Sequence, residues 1–131
     1  MTVVLDASGA MEIALKRSRS AEYSEIILEA DMVAAPDIFV SAVSNFSWKY
    51  YKLADFTHEQ SLNLASDCIE LIDQIIPAES LWVEALRESI CFDHPVYDTL
   101  YAVCARRSDG LLLTTDNRLR DLCDKLHVTW A

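Results

Sequence analysis

Short apolar runs alternate along the chain with longer segments in which apolar residues recur at helical spacing. Val3–Leu5 and Leu111–Leu113 are unbroken apolar runs, which is typical of strands buried on both faces. Between residues 39 and 50 the large apolar side chains are spaced by four, three and four positions, which places them on one face of a helix. The pattern therefore predicts buried strands joined by amphipathic helices.

Capping and breaking residues place the boundaries of these elements. Pro36 ends a predicted strand, Thr57 and Gln60 form a capping-box pattern, and Pro95 stands at the favoured first turn of a helix. The predicted strands cover 3–5, 32–35, 75–76, 111–113 and 127–129, and the predicted helices cover 6–15, 20–30, 37–53, 57–72, 78–90, 95–107 and 117–125. This alternation predicts an α/β fold, a three-layer α/β/α sandwich around a parallel sheet.

Composition narrows the class of protein further. The chain has 131 residues, 52% of them apolar, with two glycines and three prolines, which excludes a disordered chain and suits one domain over 1–131. No apolar run reaches the roughly 20 residues of a membrane span, and no basic signal-peptide pattern opens the sequence, so we expect a cytoplasmic protein without membrane contact. The four cysteines form no C-x-x-C pair and are predicted to be reduced thiols in or near the core (Cys68, Cys91, Cys104 and Cys123).

The charge of the chain is unevenly distributed. The formal net charge is −10, and residues 53–86 contain seven acidic residues with no lysine or arginine. The remainder of the chain is much closer to balance, so the acidity is concentrated on the outer faces of two predicted helices. Nucleic acid is therefore not excluded as a ligand, although nonspecific affinity is expected to be weak.

Three aspartates stand at positions where the ends of predicted elements meet. Asp6 directly follows the first strand, Asp116 follows the strand at 111–113 after two threonines, and Asp98 lies in the first turn of a helix. Taken singly, each suits a helix cap or a charge that offsets the helix dipole. Two of them, however, follow parallel strands. If those strands are neighbours, their carboxylates converge into a pocket suited to Mg²⁺ or Mn²⁺.

Four segments, in order, resemble the successive motifs of a PIN domain, with the VapC-type toxins of type II toxin–antitoxin pairs as the most similar subgroup. The segments are V-V-L-D-A-S ending at Ser8, A-P-D-I-F-V-S-A-V-S-N ending at Asn45, H-P-V-Y-D-T-L-Y beginning at His94 and L-L-T-T-D ending at Asp116. The resemblance implies a parallel sheet of about five strands with the first strand central. It also implies RNA cleavage dependent on Mg²⁺ or Mn²⁺, and an antitoxin protein that blocks the site.

Carried over residue by residue, the resemblance assigns catalytic and metal-holding roles to three acids. Asp6, Asp98 and Asp116 match three of the four acidic positions usual in the family. The supporting polar positions fall on Ser8, Asn45 and Thr114.

The fourth acid of the family, normally a glutamate, falls on Ala42. The i, i+3, i+7 spacing places Ala42, Asn45 and Lys49 on one helix face, so the missing carboxylate would have pointed into the pocket. Ordinary divergence in a weakened enzyme, a pseudo-enzyme and an introduced substitution all remain open. Two nearby acids are candidates to take its place, Glu12 and Asp37, although Glu12 is expected to face solvent and Asp37 to cap its helix.

Basic residues beside the predicted pocket are candidates for weak RNA contacts. Those selected are Lys16, Arg17, Lys49 and Arg118. Arg106 and Arg107 suit either a phosphate or the carboxyl end of their own helix.

The leading hypothesis is a metal-dependent endoribonuclease, and the main alternative is a catalytically weak PIN module that acts by binding protein or RNA. A phospho-accepting receiver domain is a third hypothesis, although such domains normally carry two adjacent acids after the first strand and Asp6 is followed by Ala7. A homodimer is expected from the resemblance and from an excess of aromatic residues over what one core needs (Trp48, Tyr50, Tyr51 and Trp82).

Overall fold

A computed structural model describes residues 1–131 as a four-stranded parallel sheet packed between helices. The strands are β1 Thr2–Leu5, β2 Met32–Pro36, β3 Gln74–Ile76 and β4 Leu111–Leu113. The helices are α1 Ala7–Ala14, α2 Ser20–Glu29, α3 Ile38–Leu53, α4 His58–Glu70, α5 Trp82–Phe92, α6 Val96–Arg107 and α7 Asn117–Leu126.

The order of the strands explains why helices cover both faces. The sheet order is β3-β2-β1-β4, so the chain first steps outward from β1 to β3 and then crosses back to β4. Because parallel crossovers are right-handed, this reversal places α1–α4 on one face and α5–α7 on the other. Contacts of α1 with α2, α3 and α4, and of α6 with α5 and α7, agree with that division. The predicted α/β/α sandwich with a central first strand is confirmed.

The sheet has four strands where about five were expected. The predicted strand at 127–129 is wrong. Only the last residues pair with the sheet, through a parallel bridge between Leu112 and Trp130 and a hydrogen bond from the Thr114 N–H to the Ala131 carbonyl oxygen. The physical reason is the end of α7, where His127 adopts a left-handed conformation with φ of 57° as the C-cap. That conformation is incompatible with an extended strand and leaves only the last residues to pair with β4.

The predicted helix at 78–90 is also corrected. Residues Ala78–Ser80 form a 3₁₀ turn, and the α-helix begins only at Trp82. The Ser80 hydroxyl donates to the Pro77 carbonyl oxygen at 2.7 Å, a local bond that competes with helical pairing.

Strand order also excludes the receiver-domain hypothesis. The doubly wound order of that class is 2-1-3-4-5, in which the first strand lies between the second and the third. Here β1 lies between β2 and β4, with register pairs that join Val3 to Val33 on one side and Leu111 on the other.

One hydrophobic cluster of 28 buried residues occupies the interior and draws on every strand except β3. Val3, Val4 and Leu5 are fully buried, as expected of a strand covered on both faces. All four cysteines are free thiols. Three are buried, as predicted, but the prediction is wrong for Cys91, which is exposed. None of the helices combines the length and the apolar character that crossing a membrane requires.

A close backbone approach at Gly9 joins α1 to the sheet. A Cβ atom at this position would lie 2.7 Å from the carbonyl oxygen of Leu113 and 2.9 Å from a methyl carbon of Leu5. Both distances are shorter than real Cβ contacts, and the oxygen belongs to backbone that cannot move freely. Gly9 therefore sets how closely α1 can pack against the end of β4.

We expect Gly9→Ala to lower the free energy of unfolding by about 2 kcal/mol, because the added methyl group overpacks against backbone. The sign is diagnostic, since the same substitution in an open helix interior stabilises by roughly 0.5–1 kcal/mol. Urea denaturation of the two proteins measures the difference. A more stable variant would show that α1 and β4 are not in close contact.

Candidate functional site

Asp6 stands where β1 passes into α1, and its carboxylate is buried. The residue is only 5% exposed. As the N-cap of α1, its Oδ1 accepts from the Gly9 backbone N–H at 2.8 Å and from the Ser8 hydroxyl at 2.7 Å. Its Oδ2 accepts from the Thr114 hydroxyl, on the segment that follows β4. Three donors from two elements therefore hold one carboxylate.

The same hydroxyl groups connect Asp6 to the loop that carries Asp116. The Ser8 hydroxyl oxygen accepts from the Thr115 backbone N–H at 3.0 Å, and the Thr114 hydroxyl oxygen accepts from the Asp116 N–H at 3.1 Å. Asp116 in turn caps α7, where its Oδ1 accepts from the Arg118 N–H at 2.9 Å. Ser8 and Thr114, both selected from the sequence as supporting residues, thus set the spacing between two acids.

Asp98 reaches the site from the first turn of α6. Its Oδ2 lies 2.8 Å from Nε2 of His94, whose side chain is mostly buried just before the helix. Sequence reasoning included His94 in a motif but assigned it no role. The ring orients the Asp98 carboxylate, since one of its two oxygens is engaged.

The three aspartates line one cleft of about 180 Å³ at the carboxyl ends of β1 and β4. The cleft is lined by Asp6, Ala7, Ser8, Ile38, Ala42, Phe46, Tyr97, Asp98, Tyr101 and Asp116. No lysine or arginine is among these residues, so nothing cationic offsets the three carboxylates from within the cleft.

Electrostatics at Asp6 follow from this arrangement. Burial raises the pKa of the Asp6 carboxyl to about 6, and the negative charge of Asp116 adds to the rise. The hydrogen bonds from Thr114, Gly9 and Ser8 act in the opposite direction but do not cancel the effect of burial. A cation in the cleft would favour the charged form.

The donor atoms suit a hard divalent cation, although the side chains do not form a closed cage. Nowhere in the chain do three or more His, Cys, Asp or Glu side chains form a group that could hold a metal ion. Mg²⁺ is commonly bound through one or two carboxylates and completes its shell with water and substrate phosphate. The lining carboxylates fit that mode of binding.

Ala42 lines the cleft, as its position on α3 predicted, together with Ile38 and Phe46 one turn away on either side. Asn45, selected as a supporting residue, is exposed and does not line the cleft. Lys49 is exposed as well, with its Nζ 5.7 Å from the centre of the Phe46 ring. α3 packs against α4 and β2, which holds this face of the helix toward the cleft.

Neither acid considered as a substitute for the missing glutamate lines the cleft. Glu12 is buried, contrary to the expectation that it faces solvent, and its carboxylate accepts from the Arg19 N–H at 3.2 Å. Asp37 is exposed at the start of α3 and makes no capping hydrogen bond.

None of the basic residues selected from the sequence lines the cleft. Lys16, Arg17 and Arg118 are exposed, and the Arg17 guanidinium lies 5.8 Å from the Tyr50 ring centre. Arg106 is paired with Glu84 and Glu88 of α5, so it serves the packing of two helices. Arg107 is bound to Glu84 in the same way.

These features define an α/β protein of PIN-like fold with an acidic cleft at the carboxyl ends of two neighbouring strands. The sequence matches no protein-family model and no curated protein. Solved structures share the fold. PAE2754 from Pyrobaculum aerophilum superposes with a TM-score of 0.72 at 20% identity, covering 93% of this chain and 79% of its own.

Two further structures match over the whole of this chain. One is the crystal structure of VapBC2 from Rickettsia felis bound to a DNA fragment from its promoter. It has a TM-score of 0.67 at 14% identity, and 98% of its chain is covered. VapBC-1 from nontypeable Haemophilus influenzae has a TM-score of 0.63 at 17% identity and is covered over 97%. At these identities the likeness establishes the fold, which the resemblance of the motifs predicted.

We expect Asp6→Asn to stabilise the metal-free protein by roughly 2–3 kcal/mol at pH 7.5. Since the Asp6 pKa is about 6 in the folded state against 3.8 ordinarily, the folded protein binds this proton more tightly. The stabilisation of the folded protein by this proton is complete below pH 4 and is lost as the pH rises through 6. Asparagine keeps the cap and has no charge to desolvate.

Urea denaturation between pH 4 and 8 measures this effect. The control is Asp121→Asn, which removes the same charge from an exposed position of α7 and should leave the pH dependence unchanged. An Asp6→Asn protein no more stable than the parent at pH 7.5 would show that the carboxylate is not strained by burial.

Proposed function

We propose that the protein is a metal-dependent endoribonuclease of the VapC toxin type, in which Asp6, Asp98 and Asp116 hold Mg²⁺ or Mn²⁺, one or two of them directly and the others through water molecules of its shell. The observation that carries the proposal is the convergence of these three carboxylates in one cleft that no lysine or arginine lines. The PIN-like fold and the order of the motifs support the same assignment. We place this activity in the cytoplasm.

Each of the three aspartates contributes differently. Asp6 is the immobile ligand, because donors from α1 and from the β4–α7 loop hold both of its oxygens. Asp98 has one oxygen bound to His94 and the other available to the cleft. Asp116 has one oxygen bound to the first turn of α7. When bound, Mg²⁺ or Mn²⁺ would activate a water molecule and stabilise negative charge on the phosphoryl group.

Residues outside the cleft supply the RNA contacts of this proposal. Lys16, Arg17, Lys49 and Arg118 are exposed and able to reach phosphates along the backbone. Because the chain carries a net charge of −10, these contacts are expected to be weak and sensitive to salt.

Ala42 favours a second candidate function, a PIN module that binds protein or RNA with little catalysis. Its side chain brings only a methyl group into the cleft where the family resemblance places a carboxylate. With one ligand fewer, the ion would be held less tightly and the activity would be low.

Partner proteins form part of the same proposal. Two of the structures that share the fold are named VapBC2 and VapBC-1, and the motif resemblance implies an antitoxin partner. We infer that this chain likewise pairs with an antitoxin protein. We also propose a homodimer, since Trp48, Tyr51 and Trp82 are each more than half exposed.

We expect Ala42→Glu to strengthen Mn²⁺ binding about tenfold, equivalent to roughly 1.4 kcal/mol, and to raise RNA cleavage in parallel. The variant restores a carboxylate on the face of α3 that lines the cleft, and it should be slightly less stable without metal because like charges repel. Calorimetric Mn²⁺ titration and cleavage of a single-stranded RNA measure both effects.

The control is Ser41→Glu, which adds the same charge one residue away at an exposed position. It should change neither Mn²⁺ affinity nor cleavage. Asp98→Asn, which removes one of the three carboxylates, should in addition lose Mn²⁺ binding. A parent that binds no Mn²⁺ and cleaves no RNA, with no gain in Ala42→Glu, would refute the enzymatic proposal.

If the protein is a homodimer, light scattering at micromolar concentration should give a particle of twice the chain mass. Trp48→Ser should shift the protein toward monomer, whereas Leu28→Ser, at an exposed apolar position of α2, should not. A parent that is monomeric at high micromolar concentration contradicts this part of the proposal.

A further inference from the structure

Tyr101 carries a buried hydroxyl group that has no hydrogen-bond partner. The residue is 6% exposed and follows Asp98 by three positions on α6, so the two share a helix face. Its side chain lines the acidic cleft. Ser61 is the only other residue of the chain with a buried, unpartnered side-chain oxygen or nitrogen, and it lies elsewhere.

The unpartnered hydroxyl contrasts with its polar neighbours. The Asp6 carboxylate has three donors, and the hydroxyl groups of Ser8 and Thr114 each both donate and accept. A buried polar group without a partner destabilises the folded protein, and few such groups persist in folded chains. Because the other buried polar groups of the cleft have partners, the free Tyr101 hydroxyl indicates a position where a ligand atom binds.

The hydroxyl remains protonated. Burial raises the pKa of Tyr101 far above its usual range, and the charges of Asp6 and Asp98 raise it further. The group is therefore a donor at every physiological pH and cannot serve as a base.

We propose that the Tyr101 hydroxyl donates a hydrogen bond to a phosphate oxygen of the phosphodiester bound in the cleft. The inference rests on the proposed function, which supplies the chemical class of the ligand. The aspartate oxygens of the cleft repel a phosphate, so its oxygens require a donor in addition to the cation. Among the residues that line the cleft, Tyr101 is the buried side chain whose donor is not already engaged. A water molecule bound to the ion would not serve as this donor, because its protons would point toward the carboxylates.

The first test uses the metal-free protein and needs no activity. Tyr101→Phe removes the unpartnered hydroxyl and should raise Tm by roughly 3 °C. Tyr51→Phe is the control, since Tyr51 is 55% exposed on α3 and does not line the cleft, and it should leave Tm unchanged. A lower Tm for Tyr101→Phe would show that the hydroxyl already has a partner and would overturn the inference.

The second test measures binding of a ligand that cannot be cleaved. The probe is the dinucleotide UpU with methylated 2′ hydroxyl groups, titrated by calorimetry in the presence of saturating Mn²⁺. Tyr101→Phe should weaken dinucleotide binding about tenfold and leave the Kd for Mn²⁺ alone unchanged. Tyr51→Phe, outside the cleft, should bind the dinucleotide within a factor of two of the parent.

The outcomes separate this inference from the proposed function. A parent that binds neither Mn²⁺ nor the dinucleotide refutes both. A parent that binds both, with Tyr101→Phe unaffected, refutes only the role of Tyr101. Weaker binding of Mn²⁺ alone by Tyr101→Phe would assign the hydroxyl to the hydration shell of the ion and would likewise overturn the inference.

Discussion

The buried carboxylate of Asp6 is the constraint on which the rest of this site depends. It ends β1, caps α1 and accepts a hydrogen bond from Thr114 after β4, so three elements meet at one charged group. Such a group is costly to bury, and the structure compensates with donors placed at short distances. The close approach of Gly9 to the Leu113 carbonyl belongs to the same arrangement, because a side chain there would separate α1 from the strand ends.

A second consequence is that the charged form of the Asp6 carboxyl group is disfavoured in the cleft. Burial and the Asp116 charge raise the Asp6 pKa, and the lining side chains include no lysine or arginine. Tyr101 adds an unpartnered hydroxyl to the same space. A folded protein retains such features where binding a ligand offsets their cost, which is the common physical basis of the proposals for the metal and for the phosphate.

Some charged residues outside the cleft pack α5 against α6. Glu84 and Glu88 engage Arg106 and Arg107, so both arginines of α6, which has no lysine, pair with α5. No lysine or arginine lines the cleft, so the proposed binding of RNA would gain little electrostatic attraction there. Recognition would then depend on contacts inside the cleft more than on a broad positive surface.

Local pattern was enough to predict most elements, the layer architecture and the positions of Asp6 and Asp116 after two strands. Strand burial, helical spacing and caps depend on neighbours within a few residues. Local pattern failed at Ala78–Ser80 and at His127, where a serine-to-backbone bond and a left-handed cap redirect the chain. Tertiary packing alone decided that Asn45 lies outside the cleft, that His94 orients Asp98, and that the Tyr101 hydroxyl has no partner. These features depend on helix rotation and on contacts between elements distant in the chain, which the spacing of residues along one element does not determine.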